Sequence, residues 1–209
     1  MTLQASQLAH ARGNRKLFDG LDLEVQAGEA LRVVGRNGSG KTSLLRVLSG
    51  LAEPLKGQVL WQGRSIRSLR EDFNQDLVYV GHGSGLKDDF TASENVQISA
   101  VLSGRSCSES EACDALDLMG LRGRAHLPAR VLSQGQRRRV MLARLAIKPV
   151  ARLAILDEPF NALDQESVDV LSSLLSRQLA EGAVVVYTTH QSQTLAASRT
   201  HEVHLDGAV

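Results

Sequence analysis

Residues 35–42 read GRNGSGKT and fit the pattern G-x-x-x-x-G-K-[ST]. The spacing has a chemical reason. Gly35, Gly38 and Gly40 let the backbone turn consecutive N–H groups inward as a nest for phosphate oxygens, with Arg36, Asn37 and Ser39 in the same loop. A helix starting there points its positive end at the same anion. Lys41 adds a point charge, and the Thr42 hydroxyl can ligate Mg²⁺ beside a nucleoside triphosphate.

Such a loop needs a carboxylate for the metal and a group that aims water. The stretch LAILDEPF (153–160) offers both, an apolar strand ending in Asp157 and then Glu158. Asp157 is expected to hold Mg²⁺ through water, and Glu158 to polarise the attacking water as general base. VVVYTTH (184–190) repeats the design and carries His190 to the same sheet edge as a γ-phosphate sensor. In LSQGQRRRVMLARL (132–145), Ser133, Gly135 and Gln136 open a helix whose N-terminus suits an anion. Arg137 to Arg139 are expected to form an exposed charged face above a core face of Val140, Met141, Leu142 and Leu145.

These residues need elements to position them. The reading is an α/β core with a parallel sheet, because short apolar runs (31–34, 76–81, 152–156 and 183–187) alternate with helical patterns. Residues 17–35 are expected to form strands joined at Asp19-Gly20 and Ala27-Gly28, and GQVLWQG (57–63) a hairpin strand. TSLLRVLSG reads as a helix stopped by Gly50. From about residue 86 to 147 the pattern turns helical, as if inserted into the core, and Ser108 with Glu111 predicts a capping box. A helix carrying Val168, Leu171, Leu175 and Leu179 ends at Gly182, and a short helix is expected after 187, before HEVHL.

Composition narrows the function. At 209 residues and 43% hydrophobic content the chain is expected to fold as one domain, and a net charge of +1 argues against a general nucleic-acid footprint. No apolar run approaches a membrane span, and the N-terminus has no secretory h-region. Cys107 and Cys113 lack metal-ligand spacing and read as reduced thiols. HGSG (82–85) imitates an esterase oxyanion stretch, but no G-x-S-x-G elbow accompanies it.

Together, GRNGSGKT, LSQGQ, LAILDEP, NALD and TTH, in that order, resemble the nucleotide-binding domain of ABC ATPases across nearly the whole chain. The resemblance implies a P-loop NTPase fold with an inserted helical subdomain and an N-terminal antiparallel β subdomain, and ATP with Mg²⁺ as cofactors. It implies a head-to-tail homodimer in which Ser133, Gly135 and Gln136 bind ATP held by the other copy, with Asp164 near the seam. VLWQG, GHGSGLKDDFTASENV and DEPFNALD further resemble the ATP-binding subunit of the bacterial haem exporter of cytochrome c maturation. That implies a peripheral protein on the cytoplasmic face of the inner membrane, docked on integral transporter subunits. The alternatives are an ATPase subunit for another cargo, and a non-transport ABC ATPase of translation or DNA repair.

Three departures stand out. Gln134 replaces the commoner first glycine of the signature. Arg12 stands where an aromatic usually stacks on adenine, and a guanidinium plane can stack in its place. His82 stands where the family carries a glutamine, and is expected to accept from a magnesium-bound water, with Gly81, Gly83 and Gly85 as hinge material.

Overall fold

The computed structural model describes residues 1–83, 85–189 and 194–205. Two sheets carry the architecture. An antiparallel sheet of order β2-β1-β4-β5 is built from β1 (Thr2–Arg12), β2 (Arg15–Gln26), β4 (Lys56–Trp61) and β5 (Arg64–Ser65). A parallel sheet of order β6-β7-β8-β3-β9 contains β3 (Glu29–Val34), β6 (Leu77–Val80), β7 (Leu153–Leu156), β8 (Val184–Thr188) and β9 (Arg199–His204).

Strands β7 (LAIL) and β8 (VVVYT) are almost wholly apolar because both faces are covered. Along β7, Leu153 and Ile155 enter one core, with α1 (Lys41–Leu48) and the antiparallel sheet. Ala154 and Leu156 enter the other, with α7 (Gln165–Ala180) and the helices between β6 and β7. Two short helices, α2 (Ile66–Leu69) and α3 (Glu71–Asp76), lead into β6.

Between β6 and β7 lie α4 (Ala92–Leu102), α5 (Glu109–Leu118) and α6 (Gln134–Ala143), each opened by a capping box: Thr91 with Glu94, Ser108 with Glu111, and Ser133 with Gln136. The sequence had pointed to the second. Asn95 ties down the entry to α4, accepting from Lys87 N and donating to the carbonyls of Lys87, Phe90 and Thr91.

The N-terminal region corrects the expected turn at Asp19-Gly20. Strand β2 runs straight through that dipeptide, and its pairing with β1 shifts register between Leu8↔Leu21 and His10↔Phe18. Pairing on both flanks turns the Asp-Gly into a bulge rather than a reversal, with Gly20 at φ 70°. The expected helix after β8 falls partly on 190–193, outside the described residues; 194–198 are not helical.

Candidate nucleotide site

Every element of the parallel sheet that could do chemistry ends at one edge. Strand β3 runs into 35–42, β6 into Gly81-His82, β7 into Asp157-Glu158 and β8 into Thr188-Thr189. In parallel α/β sheets that carboxyl edge is where ligands bind.

The loop after β3 is tightly tied. Gly35 sits at φ 151°, and a Cβ there would stand 2.3 Å from the Leu205 carbonyl oxygen and 2.6 Å from Ser39 Oγ. No other residue type fits without moving the backbone. Lys41 is buried, and its Nζ donates to the carbonyls of Gly35 (2.7 Å) and Arg36 (3.2 Å). Ser39 Oγ is buried with no hydrogen-bond partner among the described residues, so this loop holds a polar group in reserve.

Asp157, 2% exposed, is gripped from both sides. Thr42 Oγ1 donates to its Oδ2 at 2.7 Å, and Thr188 Oγ1 to its Oδ1 at 2.8 Å. Thr188 Oγ1 also accepts from Glu158 N at 2.8 Å, chaining the two acidic residues together. Glu158 has φ 49°, left-handed backbone that costs a non-glycine residue about 1–3 kcal/mol. The Asn161 amide donates to the Glu158 carboxylate.

A cleft of about 510 Å³ joins these parts, lined by Asn37, Gly38 and residues 40–43 of the loop and α1 with Arg12, Leu17, His82 and Glu158. It thus brings together Arg12, Asn37, Gly38, Gly40, Lys41, Thr42, His82 and Glu158, with Asp157 directly behind Thr42. A second cleft of about 370 Å³ shares His82 and Glu158 and is walled by Gln134, Arg138 and Asn161.

Ser133, Gly135 and Gln136 line neither cleft. Ser133 Oγ accepts from Gln136 N, and the Gln136 side chain accepts from Ser133 N, so the start of α6 is rigid. Gly135 has a packing role too, because a Cβ there would lie 2.8 Å from the Ala162 carbonyl. Asp164 caps α7 by accepting from Ser167 N, and hydrogen bonds from the Ser167 side chain and backbone hold its carboxyl below the usual range. His190 lies outside the described residues.

The donor set suits a phosphate chain with a magnesium ion. It offers a glycine-shaped loop, a buried ammonium, an orphaned hydroxyl, and the Thr42 and Asp157 oxygens 2.7 Å apart. Among the described residues no cluster of three or more His, Cys, Asp or Glu forms a metal cage.

The expectation of an exposed arginine face fails at Arg138. Its side chain is buried, donating through Nη1 to Gly81 O and through Nη2 to the carbonyls of Asp157 and Glu158. Arg137 pairs with Asp88 at 2.6 Å. The signal was available: 138, 141, 142 and 145 lie at helical spacing, so Arg138 shares the stripe of the core residues. Thr188 and Asn161, quoted within TTH and NALD, were given no role of their own, because the use of a short polar residue depends on what folds beside it.

With this geometry in place, comparison with known proteins is decisive. The family model for ABC transporter matches residues 18–161, from β2 through the phosphate loop and α6 to Asn161. The chain belongs to the ABC transporter family. It is 48% identical over 204 residues to the cytochrome c biogenesis ATP-binding export protein CcmA of Nitrosospira multiformis, covering 98% of each chain. To the protein of that name from Pseudomonas aeruginosa it is 46% identical, covering 95% of this chain and 97% of the other. Among solved ABC structures, the dimeric bacterial transporter cassette MJ0796 superposes with a TM-score of 0.85 at 23% identity, covering 97% of this chain and 94% of that one. An ATP-binding subunit of an ABC transporter superposes at 0.80 with 25% identity, covering 91% and 80%. The ABC fold of two sheets with intervening helices is therefore the one the sequence pointed to.

Proposed function

We propose that this ABC ATPase is the ATP-hydrolysing subunit of an exporter in cytochrome c biogenesis, driving export of haem or its release from a periplasmic chaperone. The observation that carries the reading is the cleft uniting Lys41, Thr42, His82 and Glu158, in a chain nearly half identical over its length to curated biogenesis export ATPases. In it, Gly35 to Thr42 cradle the phosphates of ATP and Arg12 stacks beside the base. Thr42, and Asp157 through water, would hold Mg²⁺, which would neutralise phosphate charge when bound. Glu158 takes a proton from water. His190, outside the described residues, is assigned the role of γ-phosphate sensor.

Two copies pair head to tail, and Ser133, Gly135 and Gln136 complete the site of the opposite copy. Support comes from their separation from the cleft of their own chain and from their rigid, capped helix start. Integral subunits dock on the helical region and hold the dimer at the cytoplasmic face of the inner membrane. The exposed apolar residues of α4, Val101 at 64% and Leu102 at 80%, support that placement, and no described helix is long and apolar enough to cross a membrane.

Affinity purification of the tagged chain from detergent-solubilised membranes tests the reading. Integral membrane proteins are expected to co-purify in fixed ratio to it. Recovery only with ribosomes would favour the translation class instead, and recovery only as a free soluble protein would remove the exporter assignment.

His82 faces the cleft from the hinge after β6, where its ring nitrogen supplies an acceptor. His82→Gln keeps an acceptor and should turn over ATP within about threefold of the parent, whereas His82→Ala should lose about 2- to 10-fold, one hydrogen bond's worth. Equal rates for all three proteins would make the histidine a turn residue and nothing more.

A further inference from the structure

Arg138 makes more connections beneath the cleft than its place in a run of three arginines would predict. One guanidinium spans three carbonyls: Gly81 at 2.8 Å, Asp157 at 2.7 Å and Glu158 at 2.9 Å. The guanidinium and its partners belong to three parts of the molecule. Arg138 is on α6 of the helical region, Gly81 directly follows β6, and Asp157-Glu158 directly follow β7. The side chain is 7% exposed and lines the cleft that also holds His82, Glu158 and Asn161.

Burial pushes the guanidinium down from its ordinary range, and the charges of Asp157 and Glu158 push it back up. Keeping a cation buried without a carboxylate in direct contact is costly; the three carbonyls offset part of that cost through Nη1 and Nη2, while Nε is buried with no hydrogen-bond partner among the described residues. Glu158 is also the residue that needs holding, since its backbone sits in the left-handed region at φ 49°. Thr188 fixes its N–H, Asn161 its carboxylate and Arg138 its carbonyl. Of these three restraints among the described residues, the Arg138 contact is the one that comes from the helical region.

We infer that Arg138 is a positioning residue for Glu158, locking the Glu158 peptide and the Gly81 hinge to the helix that begins with the signature LSQGQ. A shift of α6 then moves the hinge and the water-activating carboxylate together. Arginine is required because its planar fork sends separate N–H groups to Gly81 and to the Asp157-Glu158 pair. A lysine keeps the charge but has a single nitrogen, which cannot span both.

The inference rests on Glu158 being the general base, so the test separates the two. ATP turnover and ATP affinity are measured for the full chain as R138K, E158Q and the double variant. R138K is expected to lower kcat about 10- to 100-fold, the cost of a misplaced catalytic group, with ATP affinity within about threefold of the parent. In the E158Q background the same substitution should change kcat less than about threefold, because the group it positions is gone. A wild-type kcat in R138K, or the same loss repeated in the E158Q background, overturns the inference. A wild-type kcat in E158Q instead overturns the assignment of Glu158, and with it the role given to Arg138. Should R138K fail to give a cooperative thermal transition, R138Q enters the same cycle under the same criteria.

Discussion

Replacing Lys41 by alanine is expected to weaken ATP binding about 10- to 100-fold and to bring turnover to background. The range is what one charged hydrogen bond contributes, about 1.5–3 kcal/mol at about 1.4 kcal/mol per decade. Lys41 is the buried cation of the loop, and its Nζ bridges the carbonyls of Gly35 and Arg36 across the nest. Its removal takes away the point charge for the phosphates and one brace of the loop. The fold should survive, because Leu44, Leu45, Val47 and Leu48 still anchor α1 in the core and water can reach the two released carbonyls. Equilibrium binding of a fluorescent ATP analogue, with a thermal melt as control, checks this. Unchanged affinity in a folded K41A protein would contradict the assignment of the loop.

Replacing Glu158 by glutamine should act on the other half of the site. Glutamine has the same shape and can keep the contact with Asn161, but it cannot accept a proton from water. Losing a positioned general base costs about 10²- to 10⁴-fold in rate. The phosphate loop, Lys41 and the Thr42–Asp157 pair are untouched, so ATP affinity should stay within about threefold. The restraints on the Glu158 backbone also persist, since Thr188 and Arg138 bind its N–H and its carbonyl rather than its side chain. A pre-steady-state trace with radiolabelled ATP, alongside the binding isotherm, reads both quantities.

The parallel sheet and its carboxyl edge were legible because the strands are buried on both faces, and a run such as Val184 to Tyr187 has few other uses. The phosphate loop and the Asp157-Glu158 pair were legible because their chemistry demands fixed residue types at fixed spacing. Strand β1 was not. Its alternation of Leu3 and Ala5 is broken at Gln7, whose φ of 51° marks an irregularity that brings Leu8 and Ala9 both into the core. A bulge changes the phase of a period-two pattern, so the strand reads as noise. The Asp19-Gly20 dipeptide misled for the same reason, since the bulge in β2 uses turn residues without making a turn.

Arg138 was obscured by its neighbours. Three consecutive arginines read as a solvated surface, and only the helical spacing to Met141, Leu142 and Leu145 separates the inward one from the other two. Thr188 and Asn161 stand inside TTH and NALD, but nothing in those motifs gives their partners; Thr188 bonds the Asp157 carboxylate and Glu158 N, and Asn161 the Glu158 carboxylate, once the fold brings them together.

The central claim is that this cleft binds ATP with one set of residues and hydrolyses it with another. Nucleotide affinity and turnover measured on the same sample of E158Q test it most directly. The account expects the two to separate, with affinity kept and turnover reduced at least about 10²-fold. Turnover near that of the parent protein, or affinity lost in step with turnover, would contradict it.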